Sequence, residues 1–259
     1  MTAVIQPGNI WQQVATNLTK LSSAEILQLL EEYQMLPALI KEMVLDQAIA
    51  PISCTAEEGK VACEQLAQHY QITSDEARHR WLKQNQMSEQ KFTAIAIRQF
   101  KIEKFKRLTW GDDLESYFSQ RKPQLDRVVY SLIRTNDIGI AQEIYFRLQA
   151  EEQSFGELAR EYSQGSEAQT NGLVGPVELQ SIHPVLAKLL STSQPQQLLP
   201  PTQLENWIVI LRLEKLLLVQ LDNALRHRLL NELFNNWLQA QMAAHNNLVQ
   251  QLENATVNA

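Results

Sequence analysis

Cysteine is nearly absent from this chain: Cys54 and Cys63 are the only two in 259 residues. They are not in a C-x-x-C arrangement, and one pair builds no disulfide framework. With no metal-ligating residues grouped around them, they read as two small hydrophobes near a helix. Long apolar runs are missing too. The longest, Trp207–Leu211 and Leu216–Val219, fall far short of the roughly 20 residues that cross a bilayer. The segment Met-Thr-Ala-Val-Ile-Gln-Pro-Gly-Asn-Ile-Trp has no basic stretch leading into an apolar one, so no secretory signal is expected and the chain is expected in the cytoplasm. Basic charge is in the minority, with 23 Lys and Arg against 29 Asp and Glu and a net charge of −6. A nucleic-acid binder needs a basic footprint, so no nucleic-acid partner is expected. Glycine is scarce, eight in all. Three of them, Gly165, Gly172 and Gly175, share one short stretch. Glycine tolerates positive φ and close backbone approach, so such clustering marks a specified loop.

What is present is ordinary for a globular protein: 44% hydrophobic and 20% charged residues, enough for a core in one large or two small domains. Residues 8–122 read as successive helices. Ser22 stands three residues before Glu25 in capping-box spacing, with Ile26, Leu29, Leu30 and Tyr33 following at helical intervals. Pro37 suits the first turn of the next helix. Thr55 to about Tyr70, Thr73 to Trp81 and a long run from Ser88 complete the set. The last carries Arg98, Lys101, Lys104, Lys106 and Arg107 in its C-terminal half, where cations complement the macrodipole.

Composition shifts near Arg121-Lys122-Pro123. Arg127–Arg134 is β-rich and reads as a strand, and Trp207–Leu213 as a second, central one. Between them come a helix from Asp137 to about Glu152, a short amphipathic helix, a glycine-punctuated loop with a stubby strand, and a helix opened by His183-Pro184. Strand, helix, helix, strand, helix, strand is an α+β unit. A last amphipathic helix is expected from residue 215, with Leu218, Leu221, Leu225, Leu229, Leu233 and Trp237 at three- and four-residue steps. Such a stripe needs a partner surface, for which the N-terminal helices are the candidate.

The short helix and loop are the most specific part of the chain. Phe155, Leu158, Ala159, Tyr162 and Ser163, then Asn171, Gly172, Val174 and Gly175, resemble the parvulin family of peptidyl-prolyl cis–trans isomerases. In that family a helix with F-x-x-L-A-x-x-Y-S leads through a loop into G-G-x-L-G. The resemblance covers roughly residues 125–215. The surrounding helices are similar to the SurA/PrsA type of parvulin chaperone, in a branch resembling cyanobacterial members. It implies a helical chaperone module over residues 1–122, a parvulin-like antiparallel-sheet domain over 123–214, a long C-terminal helix over 215–250 packing back on the helical module, and a frayed tail over 251–259. It also implies a peptidyl-prolyl isomerase or chaperone that acts on unfolded or proline-containing polypeptides without a metal or cofactor.

Rotating an Xaa-Pro bond breaks no covalent bond but must lower a barrier of about 18–20 kcal/mol set by amide resonance. A site can do so by holding the proline ring in an apolar pocket and binding the twisted amide better than the planar one. By resemblance, the proline pocket falls on Val174, Ile182 and Leu186. The family's two strand histidines align with Ser131 and Val209, and the chain's five histidines (His69, His79, His183, His227 and His245) lie on neither strand. The aspartate after the paired glycines becomes Leu173. His183 beside the pocket reads as a surface residue. Ser131 is the expected stand-in for a lost histidine, bonding a neighbouring side chain. Only one of Ser131 and its neighbour Tyr130 faces the pocket, because side chains alternate along a strand. With no histidine partner, Ser131 makes no hydrolase nucleophile. A module that keeps the fold and binds polypeptides with little catalysis is the second reading.

Overall fold

The computed structural model describes residues 10–257, with side chains through residue 244 apart from those of Trp11 and Gln13. The chain divides into two compact units: residues 1–112 with 230–259, and Asp113–Leu229.

The first unit is helical: α1 (Ile10–Leu18), α2 (Ser23–Glu32), α3 (Leu36–Ile49), α4 (Ala56–His69), α5 (Asp75–Gln84) and α6 (Glu89–Trp110). Its helix starts are set locally. Ser22 and Thr55 each accept from the backbone N–H three residues on, while Glu25 and Glu58 reach back to complete capping boxes. Pro37 sits in the first turn of α3. Ala62 and Leu66 of α4, Leu82 of α5 and Phe92 and Ala96 of α6 form one core. The cations of α6 answer to specific carboxylates rather than to the helix terminus alone. Arg98 pairs with Glu42 and Asp46 of α3, at 2.7 and 2.6 Å, and Lys104 with Glu58 at 2.6 Å. A second core joins Leu45 to Phe234 and Leu238 of the C-terminal helix, with Phe105, Trp110 and Trp237 packed against it. Lys106 Nζ lies 4.6 Å above the Phe234 ring.

The second unit begins with α7 (Leu114–Leu125), which runs through the compositional break at Pro123. It continues as β1 (Arg127–Thr135), α8 (Ile138–Gln149), α9 (Phe155–Tyr162), β2 (Leu173–Glu178), α10 (Pro184–Thr192), β3 (Leu198–Leu204) and β4 (Trp207–Leu217). Single 3-10 turns precede β2 and α10. The α+β class is as the sequence implies, with one strand more than expected. β3 carries Pro200-Pro201, which cannot donate to a ladder, so its pattern does not read as a strand. It survives as an edge strand whose pairing with β4 breaks between Leu199 and Thr202.

The sheet is antiparallel throughout, in the order β2-β1-β4-β3, which makes β1 and β4 central. β4 runs on to Leu217, so residues 215–217, expected to open a helix, belong to the sheet. The last helix, α11 (Asn223–Val257), starts where Asp222 Oδ1 accepts from the Leu225 N–H at 2.8 Å. It passes the expected end near residue 250, while residues 258 and 259 lie outside the described residues.

Alternation along β1 and β4 gives the sheet two faces. Tyr130 and Leu132, with Val209, Leu211 and Leu213, pack on one side against Leu179 and against Leu186 and Leu190 of α10. Ile133, Ile208 and Ile210 pack on the other against α8 and α9, through Ala141, Ile144, Phe155 and Leu158. Gly172 enters β2 at φ +80°, where a Cβ would come within 2.9 Å of Ala159 and 3.1 Å of the Leu132 carbonyl oxygen. No residue with a side chain fits that approach without displacement.

Candidate active site

β1 and β2 pair so that Tyr130 stands opposite Val174. Both belong to the α10 face: Tyr130 is 4% exposed, and Val174 packs half-buried against the same core. Ile182, in the turn before α10, packs there too, and Leu186 is buried on α10 itself. The fold therefore brings Val174, Ile182 and Leu186 together around one apolar cluster floored by the central strands.

Ser131 is placed elsewhere. It is 4% exposed, stands opposite Arg212 on β4, and shares its side of the sheet with Ile133. Its hydroxyl donates to Glu214 Oε1 at 2.5 Å. Glu214 also accepts from Arg212 Nε at 2.8 Å and from Gln196 Nε2 at 3.0 Å. Burial pushes the Glu214 carboxyl up, but these three hydrogen bonds outweigh it and hold the group below the ordinary carboxylate range. Arg212 stacks 5.1 Å above the Phe155 ring. Ser131 thus bonds a neighbouring side chain, as the sequence implies, but on the face away from Val174, Ile182 and Leu186. A cleft of about 580 Å³ opens beside Phe155 and Arg212. Its lining mixes Glu151, Gln153 and Gln196 with Leu148 and Leu198, so it offers a proline ring no continuous apolar wall.

The polar rim of the α10 face comes from residues that the sequence reading missed. Arg134 alternates onto the same side of β1 as Tyr130 and Leu132, and stands opposite Val209. Its guanidinium makes a two-pronged contact with Glu167, in the loop between α9 and β2. Glu167 is 4% exposed and accepts a further hydrogen bond from the Ser163 hydroxyl at 2.7 Å. Burial alone would raise the Glu167 carboxyl; the bonds from Arg134 and Ser163 more than reverse this, and it lies below its ordinary range. Hydrogen bonding to Glu167 in turn holds the Arg134 guanidinium above its ordinary value.

This pair explains the glycine at position 165. A Cβ there would fall 2.3 Å from Arg134 Nε and 2.3 Å from a Glu167 oxygen. The loop is closed by local bonds as well. The Gly172 N–H donates to the Glu167 carbonyl at 2.8 Å, and Gln164 N–H to the Arg134 carbonyl at 2.9 Å. A signal existed in the sequence: Glu167 is the only acidic residue between Ser163 and Val177, inside a loop of glycines. Tyr130 senses the pair. Burial first, then the negative charge of Glu167, pushes its phenol above the ordinary range, with Arg134 acting in the opposite direction.

His183 is half-exposed, as expected, and caps α10 by accepting from the Val185 N–H at 3.3 Å. Among the described residues, no group of three or more His, Cys, Asp or Glu side chains could hold a metal ion. No described helix is long and apolar enough to cross a membrane.

Comparison with known proteins places the domain. Residues 132–215 match the family model described as Rotamase, a PPIC-type PPIASE domain. Among solved structures, the chain is similar to the peptidylprolyl isomerase PrsA of Bacillus anthracis, at 20% identity over 81% of this chain and 97% of that one, with a TM-score of 0.44. It is also similar to PrsA of Bacillus cereus, at 16% identity over 87% and 88%, with a TM-score of 0.49. A SurA-like chaperone of Campylobacter jejuni matches at 16% identity over 97% and 94%, with a TM-score of 0.34. No curated protein matches the chain. These structural likenesses are distant, and the assignment rests on the domain match. That match runs from the middle of β1 to near the end of β4, over most of the apolar cluster and its Arg134–Glu167 rim, and it identifies residues 132–215 as a parvulin-type peptidyl-prolyl isomerase domain.

Proposed function

We propose that the chain binds unfolded or flexible polypeptides and isomerises their Xaa-Pro bonds, with the proline ring seated on Val174, Ile182 and Leu186. The observation that carries this reading is the coincidence of the isomerase-domain match with an apolar face rimmed on one side by Tyr130 and the Arg134–Glu167 pair. An apolar seat fixes the ring, and rotation then occurs on the carbonyl side of the bond. Binding that favours the twisted amide over the planar one lowers the barrier with no covalent step. NMR exchange on Xaa-Pro peptides tests the reading: exchange faster than background at micromolar protein is expected, and background exchange would refute it.

A second reading is a polypeptide-binding module with weak catalysis. It is favoured by the lack of histidine on β1 and β4 and by the exposed apolar side chains of α1 to α3, among them Leu18, Leu27, Leu39 and Met43. Suppression of the aggregation of an unfolded client, unchanged by a Val174→Asp substitution that stops isomerisation, would support it. Action in the cytoplasm is part of the proposal and is tested by fractionation of the source cells.

A further inference from the structure

Buried tyrosine hydroxyls normally find a partner, because a phenol removed from water without one costs free energy. Tyr130 departs from this. The residue is 4% exposed and belongs to the α10-face core, yet its Oη makes no hydrogen bond to any described residue. Nor is that oxygen among the polar atoms sealed from solvent, so it keeps an opening outward. Its cross-strand neighbour is Val174, and the bulge at Val129/Tyr130 marks where β1 shifts register against β4.

We infer that the Tyr130 hydroxyl is a hydrogen-bond donor to the rotating prolyl amide, directed at the proline nitrogen. The inference rests on the isomerase reading above and assigns that site its polar group. In the planar amide the nitrogen lone pair is delocalised into the carbonyl and accepts poorly. Rotation localises the pair, and the nitrogen becomes an acceptor only in the twisted state. A donor placed there stabilises the transition state without stabilising either ground state. A neutral phenol suits this role, since it donates with no net charge to desolvate. The charges whose fields reach Tyr130 are Glu167, on the loop after α9, and Arg134, on β1. Burial and Glu167 keep the phenol protonated beyond the pH at which a free tyrosine ionises. The site's neighbours on β2 and β4, Val174 and Leu213, are uncharged and leave the proton in place.

The test is Tyr130→Phe in the full chain, assayed by NMR exchange on a proline peptide. The ring stays and only the oxygen goes. We expect kcat to fall about tenfold to a hundredfold with KM unchanged, because the planar amide does not use the donor. The wild-type rate should hold through neutral pH and fall only above the ordinary phenol range, whereas the rate of the phenylalanine variant should be flat there. The wild-type pH profile reads the same donor even if the variant fails to fold. Wild-type turnover in Tyr130→Phe, or a wild-type rate that persists unchanged at high pH, would overturn the inference and leave the isomerase reading standing. A wild type with no rate above background would overturn both.

Discussion

The two faces of the four-stranded sheet use the same strands for different ends. On the α8–α9 side, Ser131, Arg212, Gln196 and Glu214 bond to one another, and Arg212 is stacked on Phe155. Those polar groups are satisfied by the protein itself. On the α10 side, the polar pair Arg134–Glu167 fixes a glycine loop, while Tyr130 keeps an unbonded hydroxyl beside an apolar cluster. A closed network holds a fold together; an open donor next to an apolar seat can act on a guest. The difference teaches that a polar residue on a central strand says little about catalysis until the face it occupies is known.

The comparison can be broken at several points. The largest effect is expected from Val174→Asp, which sets a carboxylate in the apolar seat beside Tyr130. Isomerisation should drop to background, while circular dichroism keeps the signature of the fold. Next comes Glu167→Ala, which strands the Arg134 guanidinium. Loss of one partner of a sealed ion pair typically costs about 3–5 kcal/mol. Arg134 is 33% exposed, so water takes up part of the deficit and about 2 kcal/mol is expected by denaturant unfolding. Ser131→Ala should be milder. It removes one hydrogen bond to Glu214, about 1 kcal/mol of stability, and leaves turnover at the wild-type level because it lies on the other face. Equal loss of turnover in Ser131→Ala and Val174→Asp would erase the distinction between the faces.

Acid titration sharpens the same contrast with the smallest effect. Glu167 and Glu214 both sit below the ordinary carboxylate range in the folded chain. Unfolding therefore takes up protons at mildly acid pH, and stability falls as pH drops through the ordinary range toward their depressed values. Glu167→Gln should flatten that dependence, and urea midpoints between neutral and strongly acid pH measure it.

What could be read in the sequence follows from how local each feature is. The capping box at Ser22 and the helix start at Thr55 are local patterns, and both form. β1 and β4 announce themselves by runs of β-branched and apolar residues. β3 does not, because its two prolines erase the signal. Which of Tyr130 and Ser131 faces α10 was not legible. Alternation gives two options, and a bulge at the preceding residue sets the parity. The Arg134–Glu167 pair joins positions 33 residues apart, a contact that neither periodicity nor spacing encodes.

The most direct test of the two-face account is a backbone and methyl NMR titration of the wild-type chain with a proline-containing peptide. The account predicts shifts concentrated at Tyr130, Val174, Ile182 and Leu186, with Ser131, Phe155 and Arg212 unmoved. Shifts confined to Phe155, Arg212 and the neighbouring cleft would contradict it.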